Sequence, residues 1–151
     1  MSEFELREIA PVPVLYRVAS CTHAEIGKTI GELLPDVGRL AGGAIAGPPF
    51  ARYTEWTDNG CTIEIGMPVA STMLTANEVL SGQLGGCLAV CSIHMGPYDT
   101  LSASHDACMQ WIREQGLQMG GDPWESYVMD PGTEPDSAKW KTEIYWPVKR
   151  P

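Results

Sequence analysis

No run in this 151-residue chain reaches the roughly 18 consecutive apolar residues of a membrane-crossing helix, so a membrane protein of the helical kind is not expected. The opening stretch, MSEFELREIAP, is charged from its third residue, unlike a secretion signal, and the expected compartment is the cytoplasm. Basic residues are scarce. Ten Lys and Arg stand against 19 Asp and Glu, a net charge of −9, and a face that binds nucleic acid directly needs the opposite balance. Cysteine is sparse and unpatterned: five residues, an odd number, with no CxxC and no zinc-type spacing. Cys87, Cys91 and Cys108 therefore read as small core residues. Neither GxSxG nor HExxH occurs, and GGAIAG (residues 42–47) lacks the Lys-Ser/Thr of a phosphate loop. His23, His94 and His105 are too scattered to suggest a metal site. No metal and no cofactor are expected.

Against these absences, 44% of the residues are apolar and 19% are charged, which fits one soluble globular domain with its own core. Phe4–Ser20 reads as a long strand, with Pro11 and Pro13 marking an edge or a bend. Such an exposed edge would allow a homodimer. Over Thr22–Leu40 the spacing of Ile26, Ile30, Leu33, Leu34, Val37 and Leu40 predicts a helix capped by Thr22, which Pro35 kinks or ends. ARYTEWT (51–57) and CTIEIGMPV (61–69) flank Asp58-Asn59-Gly60, a tight hairpin turn. Residues 70–83 read as a linker, although NEVLSGQL within it also suits a short strand. A second series follows: a strand over 85–96, a helix over Pro97–Gly116, a strand over DPWESYVMDP (122–131), a polar loop and a last strand, WKTEIYWPV (140–148).

The two series align. Glu64-Ile65-Gly66-Met67-Pro68-Val69 falls on Glu143-Ile144-Tyr145-Trp146-Pro147-Val148, and Pro49-Phe50-Ala51-Arg52-Tyr53 falls on Pro123-Trp124-Glu125-Ser126-Tyr127. The expected fold is α+β: one domain over 1–151, built as a tandem duplication of a strand–helix–strand–strand (SHS2) module. Module 1 covers about 1–75 and module 2 about 84–151. The sheet is mostly antiparallel, with two helices on one face and a ligand cleft at the module seam.

Alternation puts Glu125 with Tyr127 on one face of their strand, and Glu143 with Tyr145 on one face of theirs. In a simple hairpin both Glu-x-Tyr pairs point the same way. A carboxylate in an apolar wall must be paired or put to use, which makes these four residues site candidates. The plainer alternative is an exposed face where the glutamates pair with Lys139, Lys141 or Arg52. On the opposite face, Ile144 and Trp146 point to the helix. Trp56 and Trp140 stand at strand ends, where they would line a pocket rim. Trp111 and His105, on the apolar stripe of the second helix, read as packed core, and His94 falls at a pocket edge.

The stretches GPPFARYTEW, HMGPYDTL, WIREQGL, DPWESYVMDP and TEIYWPV, in that order and spacing, resemble the GyrI-like small-molecule-binding domain, which also serves as the effector-binding domain of AraC-type and BmrR-type regulators. The resemblance runs from about Gly47 onward. It implies a pocket for bulky, planar, lipophilic and often cationic compounds, used in drug or toxin sensing or protection. It carries pocket carboxylates onto Glu125 and Glu143, an aromatic wall onto Tyr145, its first-module counterpart onto Tyr53, and pocket-edge roles onto Tyr98 and Tyr127. It also offers an enzymatic alternative, a hydrolase that opens cyclopropane-bearing genotoxins. There Glu125 or Glu143 would act as general base on a water, and a phenol such as Tyr145 would donate to the developing oxyanion. A gyrase-directed protein contact is a third implication. Regulator members carry a DNA-binding domain ahead of this one, and no such segment occurs in these residues.

Overall fold

The computed structural model describes residues 4–71, 78–129 and 134–151. Residues 1–3, the middle of the linker expected over 70–83 and the beginning of the polar loop after residue 131 lie outside them. The chain divides into two compact units, Pro11–Gly85 and a second made of Met1–Ala10 with Gly86–Pro151. Its architecture is α+β. Nine strands and two α-helices are described, and every strand pairing within a unit is antiparallel. No helix among the described residues is long and apolar enough to cross a membrane.

The strand expected over Phe4–Ser20 is two strands, β1 (Phe4–Ile9) and β2 (Val12–Cys21). The break falls at Ala10-Pro11, where proline fixes φ and removes a ladder donor. The two strands belong to different units. β2 is also no edge, because it lies between two partners in its own unit. Pro13 is accommodated there, facing Gln83.

In the Pro11–Gly85 unit, β2 leads through a short helical turn into α1 (Ile26–Ala41), then β3 (Phe50–Thr57), β4 (Gly60–Pro68) and β5 (Leu80–Leu84). The order across the sheet is β3-β4-β2-β5. Thr22 starts the helical turn, its backbone N–H and hydroxyl both donating to the Glu25 carboxylate at 3.3 and 2.9 Å. α1 runs through Pro35 instead of ending there. Its apolar stripe gives the reason: Leu34, Val37, Leu40 and Ala41 pack on Leu15, Met67 and Val69, while Ile26, Ile30 and Leu33 pack on Cys61, Ile63 and Ile65. Tertiary burial outweighs the backbone hydrogen bond that one proline removes.

The second unit repeats that order. β6 (Cys87–Met95) leads through a short turn into α2 (Leu101–Glu114), then β7 (Gln118–Met119), β8 (Trp124–Met129) and β9 (Lys141–Lys149). The order across its sheet is β8-β9-β6-β1, with β7 pairing the end of β9. α2 lays Leu101, Cys108 and Ile112 on Val90, Ile144, Trp146 and Val148. Phe4 stacks on Trp111 at 5.6 Å, so Trp111 takes the packing role read from its spacing. Gly116, at φ +70°, ends the helix and donates to the Arg113 carbonyl.

Register matches as closely as order. Phe50, Ala51, Arg52 and Tyr53 face Gly66, Ile65, Glu64 and Ile63. Trp124, Glu125, Ser126 and Tyr127 face Tyr145, Ile144, Glu143 and Thr142. In each hairpin the register slips by one immediately after the tyrosine, between Tyr53 and Glu55 and between Tyr127 and Met129.

Candidate functional site

The register before that slip decides where the site residues point. Directly opposed residues of an antiparallel pair share a face. Glu125 faces Ile144, and Ile144 is core beneath α2. Glu143 faces Ser126 on the other side of the sheet. The expectation that both Glu-x-Tyr pairs lie on one side is therefore corrected: the two carboxylates occupy opposite faces of the same hairpin. All four residues lie in the unbroken register before the bulge, where Glu125 with Tyr127 and Glu143 with Tyr145 alternate onto opposite faces.

On the helix side Glu125 is 3% exposed and sits in a chain of polar groups. Tyr127 donates its hydroxyl to Glu125 Oε1 at 2.7 Å, and His105 Nε2 lies 2.6 Å from Oε2. Trp146 donates its indole N–H to His105 Nδ1 at 3.0 Å. An indole nitrogen only donates, so His105 Nδ1 accepts and the ring proton sits on Nε2, aimed at Glu125. Tyr98 packs at 5.5 Å from Tyr127 and 5.1 Å from Trp140, whose indole is anchored to the Glu134 carbonyl at 2.7 Å. His94, also buried, takes a hydrogen bond from Ser104 and reaches the Pro97 carbonyl at 3.0 Å, which fixes the turn carrying Tyr98. His94 thus holds the backbone of that turn.

On the other side Glu143 and Tyr145 are half-buried. The Tyr145 hydroxyl donates to Glu143 Oε1 at 2.9 Å. Burial first, and then the adjacent Glu143 carboxylate, push the phenol well above its ordinary value, so it stays a donor. The half-buried Tyr145 ring stacks at 4.9 Å and 12° on Trp124, which is 4% exposed, so the tyrosine is the accessible ring beside the carboxylate. Cys91, opposite Tyr145, is pushed up to about 11 by burial and reads as an inert thiol. Trp124 was not singled out in the sequence, although its place across from Tyr145 follows from the register.

Tyr53 and Trp56 belong to the other unit. Tyr53 packs against Ile63 and its neighbours, and Trp56, 57% exposed, stacks on His23 at 4.1 Å. There the position of Glu125 is held by Ala51, and Glu64 is ion-paired to the facing Arg52 at 2.6 Å. Among the described residues no ion pair involves Glu143, and no group of three or more His, Cys, Asp or Glu side chains is placed to hold a metal ion.

An antiparallel α+β fold with aromatic-flanked carboxylates suits a domain that takes up small organic molecules. The chain belongs to the GyrI-like small-molecule-binding domain family, whose model matches residues 2–149. It is similar to the C-terminal domain of EcmrR, with 25% identity, 98% of each chain covered and a TM-score of 0.83. It spans 57% of the EcmrR chain solved in complex with DNA, with 98% of this chain covered at 25% identity and a TM-score of 0.84. SAV2435, solved with tetraphenylphosphonium, shares the fold at 16% identity, with 98% of this chain and 94% of that one covered and a TM-score of 0.69. No curated protein matches the chain by sequence.

Proposed function

We propose that the protein binds bulky, planar, lipophilic and often cationic molecules, for drug or toxin sensing or protection, with Glu143 and Tyr145 as the principal contacts and Trp124 backing the Tyr145 ring. The carrying observation is the residue across from Glu143. Where Glu64 has Arg52 opposite it, Glu143 has Ser126. Its carboxylate stands beside a stacked aromatic pair, the combination that attracts a delocalised cation by charge and ring faces together. That SAV2435 is solved with a lipophilic cation agrees with this reading. The matched register and matched bulges support internal duplication as the origin of the two units.

Intrinsic tryptophan fluorescence with tetraphenylphosphonium is the test. Saturable quenching is expected, with Glu143→Gln weakening binding about tenfold, or about 1.4 kcal/mol, and Ser126→Arg weakening it at least as much. Glu125→Gln distinguishes the two faces. If it weakens binding while Glu143→Gln does not, the ligand lies on the helix side with Tyr98, Tyr127 and Trp140. Unchanged affinity in all three variants would sink the reading.

A second reading is hydrolysis of a strained cyclopropane-bearing electrophile. The Tyr145–Glu143 hydrogen bond favours it, because it sets a proton donor beside a base. Its check is a ring-opened, water-added product seen by mass spectrometry with the wild type and lost with Glu143→Gln.

A further inference from the structure

We propose that Cys21 and Cys61 form a cross-strand dithiol site that a small-molecule disulfide of the glutathione class oxidises to an intramolecular disulfide. The two residues face each other directly in the β2–β4 pairing. Facing residues of an antiparallel pair have Cα atoms about 4.5–5.5 Å apart, within the span a disulfide bridges. Both side chains lie on the α1 side, where Cys21 packs on Cys61 among Ile26, Ile30 and Leu33.

Three further contacts show how closely the strands approach here. Ser20 and Thr62, the next facing pair, bring their hydroxyls to 3.0 Å. A Cβ on Gly60 would fall 2.4 Å from the Cys21 carbonyl oxygen. His23 Nε2 lies 3.1 Å from the Gly60 carbonyl oxygen. Among the described residues no other two cysteines face each other across a strand pair: Cys87 faces Ile9, and Cys91 faces Glu5 and Tyr145.

Exposure divides the labour, since Cys21 is half-buried and Cys61 is 5% exposed. The Cys21 thiolate attacks one sulfur of the small disulfide, whose S–S bond breaks, and the first small thiolate leaves and takes a proton. Cys61 then loses its proton to solvent and attacks the Cys21 sulfur of the mixed disulfide, releasing the second small thiol. Two protein thiols are oxidised by two electrons and one small disulfide is reduced to two thiols. Burial, with the neighbouring Cys21 adding to it, pushes Cys61 up to about 12, so closure is the slow step at neutral pH.

The test exposes the full chain to glutathione disulfide at about pH 8, where thiol exchange is fast, quenches with acid, alkylates, and reads intact mass and linked peptides. The expected product has lost two hydrogens, links the Cys21 and Cys61 peptides, and reverts with dithiothreitol. Cys61→Ser is expected to hold one glutathione on Cys21, and Cys21→Ser to form no link at Cys61. Circular dichroism confirms that both variants are folded, and the half-buried Cys21→Ser keeps the test open if Cys61→Ser does not fold. Complete alkylation of both wild-type thiols after treatment, or a link that joins other cysteines, overturns the proposal. Ligand binding does not enter this readout, so the two proposals fail separately.

Discussion

The two units carry one backbone plan and treat acidic residues in opposite ways. In the Pro11–Gly85 unit, Glu64 meets Arg52 across the hairpin and Ala51 fills the place beneath the helix. In the other unit, Ser126 replaces the arginine, so Glu143 faces a neutral hydroxyl, while Glu125 replaces the alanine and is tied to His105 and Tyr127. The first arrangement neutralises its charge with a side chain. The second keeps one carboxylate beside an aromatic stack and holds another inside a polar chain. Fold and chemistry are thus separable here: register and bulge are common to both units, and a few side chains at fixed positions give them different charge surroundings.

The contrast at position 125 carries the largest expected effect on stability. Glu125→Ala gives the second unit the residue of the first and removes a buried acceptor shared by Tyr127 and His105. A loss of about 3–5 kcal/mol in urea unfolding is expected. Glu64→Ala, which breaks a pair nearer the surface, should lose about 1 kcal/mol or less. Equal losses would show that the Glu125 chain has no special structural weight.

Next comes Gly66, which stands where the other unit has Tyr145. A Cβ there would fall 1.9 Å from the Leu15 carbonyl oxygen, so β4 needs glycine to approach β2. Gly66→Ala is expected to cost about 1–3 kcal/mol, read as a lower thermal midpoint. An unchanged midpoint would mean that the glycine is not a packing requirement.

The smallest effect is alkaline. Burial pushes both Cys91 and Cys108 up to about 11 from an ordinary 9.0. The unfolded chain releases these protons first. Their contribution to stability is therefore complete below about pH 9 and is lost as pH rises through about 11. Urea midpoints measured between those values should fall, and Cys108→Ala should flatten the fall. A flat profile in the wild type would remove the thiols from the account.

Much of this was legible in the residues. Periodicity gave both helices, Asp58-Asn59-Gly60 the first hairpin, and alternation the inward path of Ile144 and Trp146. His105, read as packed core, is part-buried and hydrogen-bonded between Glu125 and Trp146. The side taken by Glu125 was not legible, because alternation gives the faces within each strand but not which residues of the two strands are opposed. The membership of β1 was hidden for another reason. Local pattern shows that Phe4–Ile9 is a strand, while its pairing with β6 joins residues 78 to 88 positions apart in the chain. Cys21 and Cys61 were equally obscure until register set them face to face.

The register of the β8–β9 pair also acts as electrostatic insulation. With a register shifted by one, Glu125 and Glu143 would be diagonal neighbours on one surface, two like charges competing for the same solvation. The observed pairing puts a layer of backbone between them. Each carboxylate can then answer to its own surroundings, and a substitution that retunes one need not disturb the other. A one-residue slip of β8 along β9 would abolish that independence without altering either acid.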